Sequence, residues 1–236
     1  FQMFAIHRVM QDRKKGGILI SFEGIDASGK NTQSRMLFDY LADERIPSEY
    51  ISFPDYATPI GQEIRNFLVQ RREYDLESRH LLYAANRYEH KQAIQRWITD
   101  GKVVVINRYC ESNLAYGVAN GLPFEWLVQI ESRMPKSDYV FYLRISPEVS
   151  AARKRQNRDR YETDLNFLDR VTSVYEALAE QDHWFTIRSD QTREIVHYEI
   201  VKTVSSLLAE KRNINHESSS SVESASLQKA SNSNCG

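Results

Sequence analysis

Ile18-Leu19-Ile20-Ser21-Phe22 runs into Glu23-Gly24-Ile25-Asp26-Ala27-Ser28-Gly29-Lys30-Asn31-Thr32, and this junction decides the fold. A short apolar run opens into a Gly-x4-Gly-Lys turn. From Lys30 to about Arg45, Met36, Leu37 and Leu41 then fall on one side of a helix. Strand, glycine loop and helix in that order place backbone N–H groups around phosphate oxygens at the positive end of a helix. Gly24 and Gly29 permit the unusual dihedrals, and Lys30 reaches the outer phosphates. The phosphate-binding residues expected here are Gly24, Ile25, Asp26, Ala27, Ser28, Gly29, Lys30, Asn31 and Thr32. The residue after the lysine is normally Ser or Thr, whose hydroxyl ligates Mg²⁺. Asn31 stands there instead, with an amide oxygen that can also take a hard cation. Asp26 adds an acid where phosphates approach, which suits a sugar hydroxyl or a metal-bound water.

Outward from this loop, strand and helix patterns alternate. Tyr50–Phe53, Val103–Ile106, Tyr139–Ile145 and Trp184–Ile187 read as further strands. Helices are expected from about Pro59 to Val69, from Leu76 to about Thr99 as one long segment, from Leu165 to Glu180, and from Thr192 to about Arg212. Another begins at Ser146-Pro147, with Ser as N-cap and Pro at the first helical position. The β-branched run Val103-Val104-Val105-Ile106 fits the centre of a parallel sheet, buried on both faces. The fold class expected is α/β, a five-stranded parallel sheet with helices on both faces. Residues 1–16 read as a flexible leader, 17–212 as one domain, and 213–236, rich in Ser and Asn, as a disordered tail.

Composition excludes more than it identifies. With 31 basic and 32 acidic residues the net charge is −1, which argues against binding polymeric nucleic acid. Cys110 and Cys235 cannot form a disulfide scaffold, and such sparse usage fits a reducing, cytoplasmic setting. No run approaches the roughly 20 apolar residues that cross a bilayer. The stretch before Gly16 lacks the apolar core of a secretory signal.

Several separated motifs then converge. Phe22-Glu23-Gly24-Ile25-Asp26 with Gly29-Lys30-Asn31-Thr32-Gln33 resembles the opening of thymidylate (dTMP) kinases, which are P-loop nucleoside monophosphate kinases. So do Phe53-Pro54-Asp55-Tyr56, Gly61-Gln62-Glu63-Ile64-Arg65, and Leu81-Leu82-Tyr83-Ala84-Ala85-Asn86-Arg87. Asn107-Arg108-Tyr109 with Ser112-Asn113-Leu114-Ala115-Tyr116 resembles the family's Asp-Arg-Tyr signature and its extension, with Asn107 where the aspartate usually stands. The likeness runs in family order from about Gly17 to Arg212.

The resemblance implies transfer of phosphate from MgATP to dTMP, in dTTP biosynthesis, by a homodimer with contacts around Leu76–Asp100. It implies that Tyr83 stacks on thymine while Arg87 and Asn113 hydrogen-bond it, and that Tyr116 packs beneath the deoxyribose. Arg108 would grip the acceptor phosphate, with Asp26, Phe53, Pro54, Arg65 and Ser112 on the same side. Tyr56 occupies a position where some relatives carry a phosphate-binding arginine. The residues themselves suit these roles: Tyr83 and Arg87 share a helix face, and Arg108 follows a buried strand at the edge where such sheets bind ligands. Mg²⁺ would meet Asn31 and, through water, Asp26.

Ser150–Arg160 carries five basic residues and one acid, the one concentrated basic patch of the chain. By resemblance it is a mobile lid, about residues 153–163, closing on ATP. Relatives place a catalytic arginine in the loop or in the lid. Ala27 holds the loop position, so Arg158, Arg160 and Arg153 are the lid candidates, beside Lys30 and Arg108 as catalytic residues. Glu162 resembles the lid acid near the acceptor. Two rival readings are a kinase for another nucleotide or deoxynucleoside, and a catalytically weak P-loop protein that binds nucleotide as a regulator.

Overall fold

The computed structural model describes residues 16–153 and 164–211. Two compact units divide the chain, residues 17–200 and residues 1–16 with 201–236. In the second, residues 201–211 are helical and Lys211 Nζ donates to the Gly16 carbonyl at 2.5 Å.

Five parallel strands form the sheet of the 17–200 unit: β1 (Ile18–Glu23), β2 (Ser48–Ser52), β3 (Val103–Asn107), β4 (Tyr139–Arg144) and β5 (Trp184–Arg188). Their spatial order is β2-β3-β1-β4-β5. Register brings the carboxyl ends into line, since Asn107 pairs with both Phe22 and Ser52, and Phe22 with Phe141. The order reverses around β1, so the crevice for a ligand lies above its carboxyl end. The helices are α1 (Lys30–Asp43), α2 (Pro59–Leu68), α3 (Leu76–Glu89), α4 (Lys91–Thr99), α5 (Cys110–Ala119), α6 (Phe124–Glu131), α7 (Pro147–Arg153) and α8 (Leu165–Leu178). Residues 193–200 are helical as well.

Apolar residues fill both faces of the sheet, as buried parallel strands require. On one face Val140, Tyr142 and Trp184 meet Phe167, Val171 and Tyr175 of α8. On the other, Leu19, Val104 and Ile106 meet Ile94 of α4 and Met134. Among the described residues no helix is long and apolar enough to cross a membrane.

Two expectations about helices need correction. The segment Leu76–Thr99 is not one helix but α3 and α4, joined at His90, which has φ −100° and ψ −1°. α3 packs on α2, α5 and α6, whereas α4 packs on β3, and one straight cylinder cannot face both. The sequence reading also assigned no helix to Cys110–Ala119 or Phe124–Glu131. α5 lacks an apolar stripe because it is wedged between neighbours and buries Asn113, Ala115, Gly117 and Ala119. At Gly117 a Cβ would fall 2.6 Å from Leu127 Cδ1, so glycine is what lets α6 approach.

Candidate active site

The loop after β1 turns tightly against β4. Gly24 has φ +137°, and a Cβ there would lie 2.6 Å from the Leu143 carbonyl oxygen, so both dihedral and space demand glycine. Lys30 is buried, and its Nζ donates to the Ile25 carbonyl at 2.6 Å and to Ser28 Oγ at 3.4 Å. The ammonium thus sits within its own loop. Asn31 and Thr32, at the first turn of α1, are exposed. Tyr50 OH donates to Asn31 Oδ1 at 3.4 Å. Arg153, at the end of α7, reaches the loop: its guanidinium donates to the Ala27 carbonyl at 3.2 Å and the Ser189 carbonyl at 2.6 Å. Arg158, Arg160 and Glu162 lie outside the described residues.

Beside this loop opens a cavity of about 340 Å³. Its lining brings together Asp26, Asn31, Phe53, Pro54, Tyr56, Tyr83, Arg87, Arg108, Ser112, Asn113 and Tyr116, all expected from sequence, with Ser52, Leu68, His80 and Asn107. Arg65 does not line it; it is an exposed residue of α2.

At one end of the cavity stands Arg108, whose backbone is left-handed at φ +60°. Such a conformation costs a non-glycine residue on the order of 1–3 kcal/mol and persists only when the surroundings impose it. They do so here on both sides. The Arg108 N–H donates to the Phe22 carbonyl at 3.1 Å, and the Tyr109 N–H donates to Glu23 Oε1 at 2.7 Å. Glu23, fully buried, also accepts from Ser112 Oγ at 2.5 Å and Tyr175 OH at 2.8 Å. The Arg108 guanidinium lies over the Tyr116 ring, 5.4 Å from its centroid, and pairs with the Asp26 carboxylate. Burial works against its charge, and Asp26 together with Tyr116, Tyr175 and Glu23 more than offsets that. A guanidinium so fixed offers a planar fork to a phosphate.

At the other end Tyr83 presents its ring, with the His80 imidazole edge-on at 6.1 Å. Arg87 is buried and pairs with Glu131 of α6, its Nε donating to Oε2 at 3.1 Å and its Nη2 to Oε1. Asn113 Nδ2 donates to the same Oε1 at 2.6 Å and to the His80 carbonyl at 3.2 Å, and its Oδ1 lies 2.6 Å from His80 Nδ1. Sequence reasoning missed His80, Glu131 and Glu23 as site residues. Glu131 stands 44 residues from Arg87, and no spacing rule links an acid at the end of one helix to an arginine of another.

Two groups, the buried His80 and the half-buried Glu111, carry opposite pH signatures. Burial, against the help of the Asn113 bond, pushes the His80 pKa down to about 4. Burial and the charge of Glu23 push the Glu111 carboxyl up to about 7. The unfolded chain takes a proton at His80 near pH 6.5 that the folded protein refuses until about 4. Stability therefore falls as pH drops through that window, by up to about 3 kcal/mol. Glu111 runs the other way: the folded protein holds its proton between pH 4.5 and about 7, so stability falls as pH rises through that range. The two partly cancel in the wild-type curve. We expect His80→Gln to remove the acid-side loss and Glu111→Gln the loss toward pH 7. Urea midpoints at pH 4.5, 6 and 8 read both, and a His80→Gln protein with the wild-type pH slope would refute a neutral buried His80.

Comparison with known proteins places these features in context. A family model described as thymidylate kinase matches residues 22–200. The thymidylate kinase of Dictyostelium discoideum is 34% identical over 187 residues, covering 79% of this chain and 84% of its own. That of Plasmodium falciparum (isolate 3D7) is 34% identical over 207 residues, covering 87% and 98%. The human enzyme is 30% identical over 187 residues, covering 78% and 88%. The solved structure of thymidylate kinase from Candida albicans matches with a TM-score of 0.70 at 27% identity, over 81% of this chain and 92% of that one.

Proposed function

The chain belongs to the thymidylate kinase family and is a dTMP kinase, converting dTMP to dTDP; we propose that MgATP is the donor and that the site divides the work as follows. The observation that carries this reading is one continuous cavity, with Arg108 and Asp26 beside the phosphate loop at one end and Tyr83, Arg87 and Asn113 at the other.

The acceptor needs no protein base, because the second pKa of a phosphomonoester is about 6 and it is already a nucleophile at neutral pH. Catalysis is then positioning and charge neutralisation. Lys30 and the loop N–H groups hold the donor phosphates. Arg108 exchanges Asp26 for the acceptor phosphate, freeing the Asp26 carboxylate for a sugar hydroxyl. Tyr116 supports the sugar, and Tyr83 stacks on the base. Arg153 stays with the loop and the Ser189 strand end, on the donor side, while Arg158, Arg160 and Glu162 are assigned to a lid that excludes water.

Mg²⁺ fits the residues present. The Asn31 amide oxygen is exposed beside Lys30, and a cation carried in on nucleotide phosphates needs only one or two protein oxygens. Asn31 and, through water, Asp26 would hold it, and when bound it neutralises charge on the donor. Asn107 donates to Ser52 Oγ at 2.9 Å, and its buried Oδ1 has no partner among the described residues, which leaves an acceptor for a water or hydroxyl in the cavity.

We place this chemistry in a homodimeric cytoplasmic enzyme that needs neither nucleic acid polymer nor membrane. Apolar side chains left exposed on α3 and α6, Leu81, Phe124 and Val128, support a second copy as partner. Residues 17–212 form the catalytic domain in this reading. Coupled ADP release tests the assignment. Turnover is expected with dTMP and none with CMP or AMP, and binding of ATP and dTMP without ADP release would refute the enzyme.

A further inference from the structure

We propose that Glu131, a residue that does not line the cavity, sets the donor–acceptor polarity of its base end by locking the Asn113 amide, and thereby selects pyrimidines that carry an N3–H. The inference rests on the dTMP kinase reading and goes beyond it to the origin of base choice.

A side-chain amide can sit either way round, offering a ligand its NH₂ or its oxygen. Around Asn113 that freedom is gone. A carboxylate only accepts, so the atom 2.6 Å from Glu131 Oε1 is the nitrogen. Its second hydrogen goes to the His80 carbonyl at 3.2 Å. Both donors are thus spent. Oδ1 takes the N–H of His80 Nδ1 and keeps one lone pair for a ligand. A flipped amide would set two acceptors 2.6 Å apart, with the Glu131 side chain 5% exposed and no room for water to relieve them.

The same carboxylate orients Arg87. It occupies Nε and Nη2, and Nη1 makes no hydrogen bond among the described residues. The base end therefore presents an acceptor from Asn113 beside a donor from Arg87. Thymine and uracil match that pair, with an N3–H donor next to the O4 acceptor. Cytosine opposes it at both atoms, with a bare N3 and an N4 amine. Glu131 is a positioning residue in this account: it acts through Asn113 and Arg87 and never touches the base.

Glu131→Gln removes the constraint, because its amide can donate as well as accept. The kcat/KM preference for dTMP over dCMP is expected to fall at least about tenfold, chiefly through a higher KM for dTMP, with kcat at saturation within about threefold. Glu131→Asp, which keeps the carboxylate, should retain the preference within about threefold. A measurement on the wild-type enzyme stands apart from any folding defect: 3-deaza-dTMP, lacking the N3–H, should lose at least about tenfold in kcat/KM. A folded Glu131→Gln enzyme with the wild-type preference overturns the proposal, as does wild-type use of the 3-deaza compound on a par with dTMP. If wild type turns over no dTMP, the kinase reading fails, while calorimetric binding of dTMP against dCMP still reports the polarity.

Discussion

Arg108→Met is expected to lower kcat/KM for dTMP by about a thousandfold while shifting the thermal midpoint by only a few degrees. In the proposed site the guanidinium meets the acceptor phosphate with charge-assisted bonds of about 1.5–3 kcal/mol each, and two such bonds with their orienting effect reach this size. Stability suffers less because the partner left behind, Asp26, has a side chain 23% exposed and can hydrate. Arg108→Lys separates charge from shape. A lysine keeps the charge but loses the planar fork, so it should recover no more than about tenfold of the loss. Steady-state kinetics with dTMP varied at saturating ATP provide the reading. A methionine enzyme within tenfold of wild type would remove Arg108 from the acceptor site.

Lys30→Met is expected to cut kcat by about 10²–10³, the scale of one preorganised donor at a centre of developing charge, with dTMP affinity within about twofold. Lys30 is 5% exposed and its ammonium is held on the Ile25 carbonyl, inside the loop that receives the donor phosphates. In the proposed site it serves the donor half, so the acceptor half should not feel its removal. Single-turnover rates and dTMP calorimetry separate the two. A loss below tenfold would show that backbone N–H groups alone hold the transferring phosphates, and a matching loss of dTMP affinity would mean that the loop had collapsed.

Much of this protein was legible in one dimension because its physics is local. A strand that opens into Gly24-x4-Gly29-Lys30 and then into a helix states its topology and its ligand within fifteen residues. Parallel strands announce themselves as short apolar and aromatic runs, and all five lie close to where the pattern put them. Cavity residues such as Tyr83 and Arg87, or Arg108, Ser112 and Asn113, were legible because each short group lies within a few residues of sequence, on one helix or at one strand-to-helix junction. Arg65 shows the limit of the same reading: its motif fixed the helix, not the face, and Arg65 is exposed and does not line the cavity. The break at His90 and helices α5 and α6 escaped detection because contacts from distant segments dictate them, against weak local periodicity.

Local order, ligand class and the acceptor motif were therefore determined by the sequence itself, since backbone conformation and side-chain chemistry over a few residues suffice for them. Tertiary structure alone decided which way the site's polar groups face. Glu23 reaches across to hold the left-handed turn at Arg108, and Glu131 reaches across to orient Arg87 and Asn113. Both acids act through buried hydrogen bonds between residues 44 or more positions apart or on different elements, and chain folding, not spacing, sets those distances.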